Sequence, residues 1–176
     1  MTISLAIDTS TSRTIVGIID EQKVIFEKFH EGATDHGRAL SQLVAEALKV
    51  SAPPQQVVVG MGPGPFTGLR VGISFAHTFG LARTIPVIGV CSLDAIAIDQ
   101  NEYTVATDAR RKEIYWARYK DGARVEGPAV SKPADVDGFI ANHYPDMKKL
   151  ALLALTQNVT EPMYLRRPDA VPTAER

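Results

Sequence analysis

Short apolar runs separated by polar turns organise the first hundred residues of the chain. Ile3 to Ile7 reads as a strand, closed by Asp8-Thr9-Ser10-Thr11-Ser12, a turn rich in side-chain oxygens. Thr14 to Ile19 is β-branched and reads as the returning strand. Asp20-Glu21-Gln22-Lys23 then turns into a third strand, Val24 to Phe29, which makes an antiparallel meander. From about Asp35 to Lys49 the period changes to that of a helix, with Leu40, Leu43, Val44, Ala47 and Leu48 on one face and Pro53-Pro54 as the stop. Val57 to Gly60 is the next strand. A Gly/Pro loop, a helix from about Thr67 to Ala82, a strand from Ile85 to Val90 and a short helix through Ile98, capped by Ser92, follow. The predicted order is β-β-β-α-β-α-β-α.

The pattern then restarts. Tyr103 to Thr107 is a strand that ends in Asp108, as the first strand ends in Asp8. Asp108-Ala109-Arg110-Arg111-Lys112 turns into a second strand, Glu113 to Tyr119, and Lys120-Asp121-Gly122 turns again toward Val125. The recurrence, about a hundred residues apart, reads as an internal duplication. Its second copy is incomplete, with helical pieces expected around Val136 to Asn142 and Met147 to Gln157. Two lobes follow, residues 1–100 and a reduced 101–176.

The loop Gly62-Pro63-Gly64-Pro65-Phe66-Thr67-Gly68-Leu69-Arg70-Val71-Gly72 joins a strand to a helix, so free backbone N–H groups meet the positive end of a helix dipole. The glycine spacing fits neither the Walker A pattern nor the dinucleotide fingerprint. With Asp8, Thr9 and Ser10, the residues Gly62, Gly64 and Thr67 read as a vestigial phosphate loop. In the helix, Gly68, Gly72, Ala76 and Gly80 recur every four residues as a bare stripe. Each helical glycine costs about 1 kcal/mol against alanine, so close approach of another backbone is expected, either the chain's own sheet or a partner's helix.

Composition narrows the function. The chain has 176 residues, 45% hydrophobic and 22% charged, with a formal net charge of −1. That is the profile of a globular domain without a global pull toward nucleic acid or membrane. The lack of an N-terminal basic and apolar leader in Met1-Thr2-Ile3-Ser4-Leu5 points to the cytoplasm. One cysteine, Cys91, rules out an internal disulfide and a four-cysteine zinc site, and it reads as a small packing residue. His30, His36, His77 and His143 contain no pair three or four apart, so neither a helical metal pair nor a zinc-hydrolase motif exists. No Gly-x-Ser-x-Gly elbow is present. Arg110, Arg111 and Lys112, with Tyr115, Trp116 and Tyr119 and with Arg166 and Arg167, join basic charge to aromatics as an RNA contact would; the other reading is a solvated turn whose aromatics pack inward.

These motifs carry a resemblance. Leu5-Ala6-Ile7-Asp8-Thr9-Ser10 and the Gly62–Gly72 loop, with Pro65 where serine is usual, resemble the bacterial TsaB (YeaZ) family. So do Ile85-Pro86-Val87-Ile88-Gly89-Val90, Asp108-Ala109-Arg110 with Glu113-Ile114-Tyr115-Trp116-Ala117, and Glu161-Pro162-Met163-Tyr164-Leu165-Arg166. The resemblance implies an α/β, actin-like (ASKHA) architecture of two RNase-H-like lobes with mixed sheets, the second one shortened. It also implies a non-catalytic partner of the paralogue TsaD, which makes threonylcarbamoyladenosine beside the tRNA anticodon, in a complex completed by the ATPase TsaE. In TsaD a His-x-x-x-His pair binds metal just after the strand that matches Ile85 to Val90. Here those positions correspond to Ser92 and Ile96, and isoleucine cannot ligate a metal.

By the same resemblance the two helices pair with their TsaD counterparts. The interface expected from it uses Leu40, Leu43, Val44 and Ala47 of the first helix and Gly68, Gly72, Phe75, Ala76 and Phe79 of the second. No cofactor is expected, contact with tRNA is indirect, and for the chain alone the sequence leaves homodimer and monomer both open. Two other readings stay open at this point: an ATP-dependent kinase of the sugar or acetate kinase type built on Asp8, Gly62 and Asp108, and a metallopeptidase. The missing glycine in the first phosphate loop and the missing late nucleotide loop weigh against the former.

Overall fold

A computed structural model gives the fold and describes residues 2–166. The predicted meander forms as β1 (Ile3–Asp8), β2 (Arg13–Asp20) and β3 (Lys23–Glu31). Next come α1 (His36–Ala47), β4 (Gln56–Gly60), α2 (Phe66–Arg83) and β5 (Val87–Val90). The first sheet runs β3-β2-β1-β4-β5, antiparallel on the β3 side of β1 and parallel on the β4 side.

Alternation along the central strands splits the core into two layers. Leu5, Ile7, Val16, Ile18, Val57 and Val59 pack beneath α1 and α2, with Leu40, Leu43, Val44 and Ala47 supplied by α1. The intervening Ala6, Ile15, Ile19 and Val58 face the opposite way, onto Met147, Leu150 and Ala151 of α3 (Met147–Leu153). The period of two therefore places helices on both faces, and β1 and β4 are buried beyond their first residues.

The second sheet repeats this wiring. β6 (Glu102–Asp108), β7 (Ile114–Lys120) and β8 (Ala123–Ser131) form an antiparallel meander, and the short β9 (Phe139–Ile140) joins parallel to β6, giving the order β8-β7-β6-β9. Two mixed sheets with helices make this the α/β actin-like fold. Where the first sheet has α1, the second has only a 3-10 turn at Pro133–Asp135. Among the described residues, no helix is long and apolar enough to cross a membrane.

Three expectations change. The helix expected at Val136 to Asn142 is β9 and its flanking turns, because Gly138 and Asn142 adopt φ of 63° and 61°, values a right-handed helix excludes. The helix expected from Ser92 to Ile98 is one 3-10 turn, Leu93–Ala95, and the Ser92 side chain does not cap it. The helix from Met147 ends at Leu153, short of Gln157.

α3 lies close on the first sheet because Gly17 has no side chain: a Cβ there would sit 2.6 Å from the Met147 Cβ. Gly37, on the open side of α1, would meet nothing within 4 Å. Gly17→Ala is therefore expected to lower stability by about 1–3 kcal/mol through overpacking. Gly37→Ala should raise it by about 0.5–1 kcal/mol, since a helical glycine is replaced without a clash. Urea unfolding of the two variants checks both signs.

Candidate functional site

The site predicted from the sequence lies where the C-terminal ends of β1 and β4 meet, and it is closed. Asp8 is 0% exposed. Its Oδ1 accepts from the Ser10 backbone N–H at 2.8 Å and the Ser10 hydroxyl at 2.7 Å, while Oδ2 accepts from the Ser92 hydroxyl at 2.6 Å. The Ser92 oxygen in turn accepts from the Gly62 N–H at 3.2 Å. One carboxylate thus joins β1, the first hairpin loop and the segment after β5, with Ser92 carrying the connection on to the Gly/Pro loop.

The glycines explain how the loops come so near. A Cβ on Gly60 would overlap the Asp8 carboxylate and the Ser92 hydroxyl, and one on Gly64 would lie 2.5 Å from the Ser10 carbonyl oxygen. Thr9 donates its hydroxyl to the Gly68 carbonyl at 2.7 Å. The structure therefore brings Asp8, Thr9, Ser10, Gly62 and Gly64 together, but packed against one another. Thr67 stands apart, exposed on the first turn of α2. A phosphate would have to displace the loop that fills the site.

The same contacts settle the glycine stripe. A Cβ at Gly68 would sit 2.6 Å from the Thr9 carbonyl oxygen; at Gly72 it would meet the Thr9 hydroxyl and at Gly80 the Val87 side chain. Ala76 is 0% exposed. The stripe faces the chain's own sheet. This corrects the expected interface: Leu40, Leu43, Val44, Ala47, Gly68, Gly72 and Ala76 are buried inside the molecule, and only Phe75 and Phe79 are half-buried. The apolar face of an amphipathic helix packs inward, and that face supplies the expected α1 residues. What α2 turns outward is Arg70, Ser74, His77 and Leu81, the last 84% exposed.

Between the two sheets lies a cleft of about 390 Å³. Its walls include Thr11 and Ser12 of the first hairpin, Asp108, Arg110 and Lys112 of the second, and His143 and Tyr144 after β9. The two hairpins are built alike: Asp108 Oδ1 accepts from the Arg110 N–H at 2.8 Å, as Asp8 does from Ser10. Asp108 is exposed and Asp8 sealed. Arg110, Arg111 and Lys112 are exposed, but Tyr115, Trp116 and Tyr119 are buried, so these three aromatics offer no stacking surface beside the cations. Arg167 lies outside the described residues. No motif marks Asn142 or Tyr144, and His143 reads only as a scattered histidine; their place in the cleft depends on the β6–β9 pairing.

Burial governs the ionisable groups. Buried Cys91 has its thiol pushed up to about 12, first by desolvation and then by Asp94, which leaves it unreactive. Burial, then the charges of Arg110 and His30, hold His36 below its ordinary value; its Nδ1 lies 2.8 Å from the Thr14 hydroxyl. Among the described residues, no three His, Cys, Asp or Glu side chains group as metal ligands would.

Desolvation raises the Asp8 carboxyl above its ordinary 3.8, although the Ser92 and Ser10 hydrogen bonds oppose the shift. A folded-state value above the unfolded one favours the fold at low pH, and this contribution is lost as pH rises through the folded value. Asp8→Asn removes the titration. Its stability relative to the native chain should therefore improve as pH rises from about 4 to 7, the range above the unfolded carboxylate value. Urea unfolding across that range measures the difference; a constant offset would contradict the assignment.

Comparison with known proteins places this geometry. The sequence profile of a family described as "TsaD: tRNA N6-adenosine threonylcarbamoyltransferase" matches residues 22–170. An uncharacterized protein of Mycobacterium tuberculosis is 42% identical over 199 positions, covering 97% of this chain and 94% of the relative. That alignment is longer than the chain, so the relative carries segments this chain lacks. The tRNA threonylcarbamoyladenosine biosynthesis protein TsaB of Escherichia coli is 33% identical over 126 residues, 66% of this chain and 54% of the relative. This chain thus spans about half the length of that TsaB, and 41% of a Mycobacterium leprae relative that is 48% identical. YeaZ from Pseudomonas aeruginosa has the same fold, with a TM-score of 0.74 at 25% identity over 88% of this chain and 91% of that one. Another solved structure, described as a protein with similarity to peptidase YEAZ from Pseudomonas aeruginosa, reaches 0.80 at 24% identity, over 94% of this chain and 100% of that one. The chain belongs to the family that the profile describes and, within it, to the TsaB (YeaZ) branch.

Proposed function

We propose that the chain is a non-catalytic subunit of tRNA threonylcarbamoyladenosine biosynthesis, binding and activating a TsaD-type paralogue that carries the chemistry. One observation carries the reading: the two positions that the family resemblance matches to the paralogue's metal pair are committed elsewhere. The Ser92 hydroxyl is bound to Asp8, and Ile96 is an apolar core residue, 1% exposed. A side chain without a donor atom cannot hold a metal. The packing of Ser10 against Gly64 further disfavours the kinase reading, since the first hairpin has no room to curl around a phosphate.

The partner surface in this proposal is the outward side of α2, Arg70, Ser74, His77 and Leu81, with Phe75 and Phe79 at its edge. Phe75 and Phe79 stack at 6.1 Å and Arg83 covers the Phe79 ring at 5.4 Å, aromatic and cationic groups of the kind enriched at interfaces. The division into lobes at 1–100 and 101–176 belongs to the same proposal. The repeated sheet wiring supports it, while α3 returns from the second segment to the first sheet. TsaE and tRNA are met through the paralogue's complex in the cytoplasm; a direct tRNA phosphate contact, the second reading, would fall to exposed Arg110, Arg111 and Lys112.

Size-exclusion chromatography with light scattering, on this chain mixed with the TsaD paralogue of the same genome, tests the proposal. A one-to-one heterodimer is expected. Ser74→Arg, on the exposed side of α2, should abolish it and leave the melting temperature within about 1–2 °C, as surface substitutions do. Two unmixed peaks with the native chain would contradict the proposal.

A further inference from the structure

The C-terminal segment, residues 157–166, ties the first sheet to the second alongside the cleft. Gln157 accepts from the Cys91 N–H at 3.0 Å and donates to Asp94 at 2.7 Å. The Val159 N–H donates to the Gly89 carbonyl at 2.7 Å, at the β5 edge, and the Met163 N–H to the Met61 carbonyl at 2.8 Å. Met163 and Leu165 pack into the core of the second sheet with Tyr115 and Tyr119. Their neighbour Tyr164 lies against Phe66, ring centroids 4.8 Å apart. The segment ends on the hairpin turn between β6 and β7. There Arg166 donates through Nη1 to the Ala109 carbonyl at 3.0 Å and through Nη2 to the Glu113 carboxylate.

That turn is strained. Arg110, Arg111 and Lys112 have φ of 63°, 54° and 64°, three consecutive side-chain-bearing residues in the left-handed region. L-residues occupy it singly as a rule, because Cβ crowds the following carbonyl. Within the hairpin, the turn is closed by Ala109 N–H to the Glu113 carbonyl at 2.9 Å and Glu113 N–H to the Arg110 carbonyl at 3.0 Å. Arg166 grips residues 109 and 113, the two that flank the strained run. Arg110, Lys112 and Glu113 all line the cleft.

We propose that Arg166 is a positioning residue: it clamps the 109–113 turn in its left-handed form and, through the segment that carries it, ties that wall of the cleft to the first sheet. A guanidinium suits the task, because its planar fork serves a carbonyl and a carboxylate at once, and an ammonium cannot reproduce that geometry. Strain of this kind persists only where the surroundings hold it. Loss of the clamp should release the turn and let the sheets separate more widely at the cleft. The proposal rests on the intramolecular contacts alone and stands whether or not the chain binds a TsaD paralogue.

Limited trypsin digestion with mass spectrometry reads the turn directly, since Arg110, Arg111 and Lys112 are themselves cleavage sites. Arg166→Ala should speed cleavage at these three positions about tenfold, the population change expected on loss of one charge-assisted hydrogen bond. Arg166→Lys should fall between Arg166→Ala and the native chain. Spin labels at Ala45→Cys on α1 and Ala123→Cys on β8, both exposed, report the sheet separation; the buried native Cys91 does not interfere. The distance distribution should broaden toward longer values in Arg166→Ala. Unchanged turn cleavage with an unchanged distribution would overturn the proposal. So would equal acceleration at every tryptic site, which would mean global destabilisation. Should Arg166→Ala fail to fold, Glu113→Gln weakens the same clamp and is read identically.

Discussion

The fold at the mouth of the first sheet depends on one buried carboxylate. An isolated charge there would be costly to desolvate, and Asp8 is tolerated because three donors converge on it. Two come from Ser10 in its own hairpin and one from Ser92, 84 residues away. That last bond draws the segment after β5 onto the end of β1. The Ser92 oxygen then fixes Gly62, and the Gly62–Gly72 loop settles onto Ser10 and Thr9. The bare residues at 60, 64, 68 and 72 are consequences of this closure, each standing where a side chain would strike the hairpin.

Closure also bears on what the chain does. In the two-sheet arrangement the paired hairpins, Asp8 to Ser12 and Asp108 to Lys112, face one cleft with matching aspartate turns. The first has spent its carboxylate and hydroxyls on internal bonds, and the second exposes its aspartate and its cations. A first hairpin whose polar groups are engaged internally agrees with the proposed role of supporting chemistry carried elsewhere. Cys91 and His36, for their part, are buried, with the thiol pushed up and the imidazole held low.

Much of this was legible in the chain. The β-branched runs and the polar turns at Asp8 and Asp108 located the first two strands of each sheet. The shift from period two to period 3.6 after Asp35 located α1. What failed were short or ambiguous segments. Val136 to Asn142 offered only seven residues, too few for periodicity to separate helix from strand, and two left-handed residues decided it. Ser92 carries a good capping side chain, but the tertiary bond to Asp8 outbid the local one. The glycine stripe signalled close approach correctly; which backbone approached was a tertiary fact, fixed by Thr9 and Val87. Leu40, Leu43, Val44 and Ala47 lie on the apolar side of α1, which amphipathic logic turns inward rather than toward a partner.

In the proposed role Asp8 is an architectural residue, and the reacting groups belong to the partner. The most direct measurement is the rate of tRNA threonylcarbamoyladenosine formation by the reconstituted system, with the native chain replaced by Asp8→Asn. Asparagine keeps the shape and can still accept from Ser10, so the account predicts that a folded Asp8→Asn chain, bound to its TsaD partner, supports the native rate within about a factor of two, well short of the 100-fold or greater losses typical when a catalytic group is removed. A loss of that larger size, with the heterodimer intact, would place Asp8 in the chemistry and contradict the account.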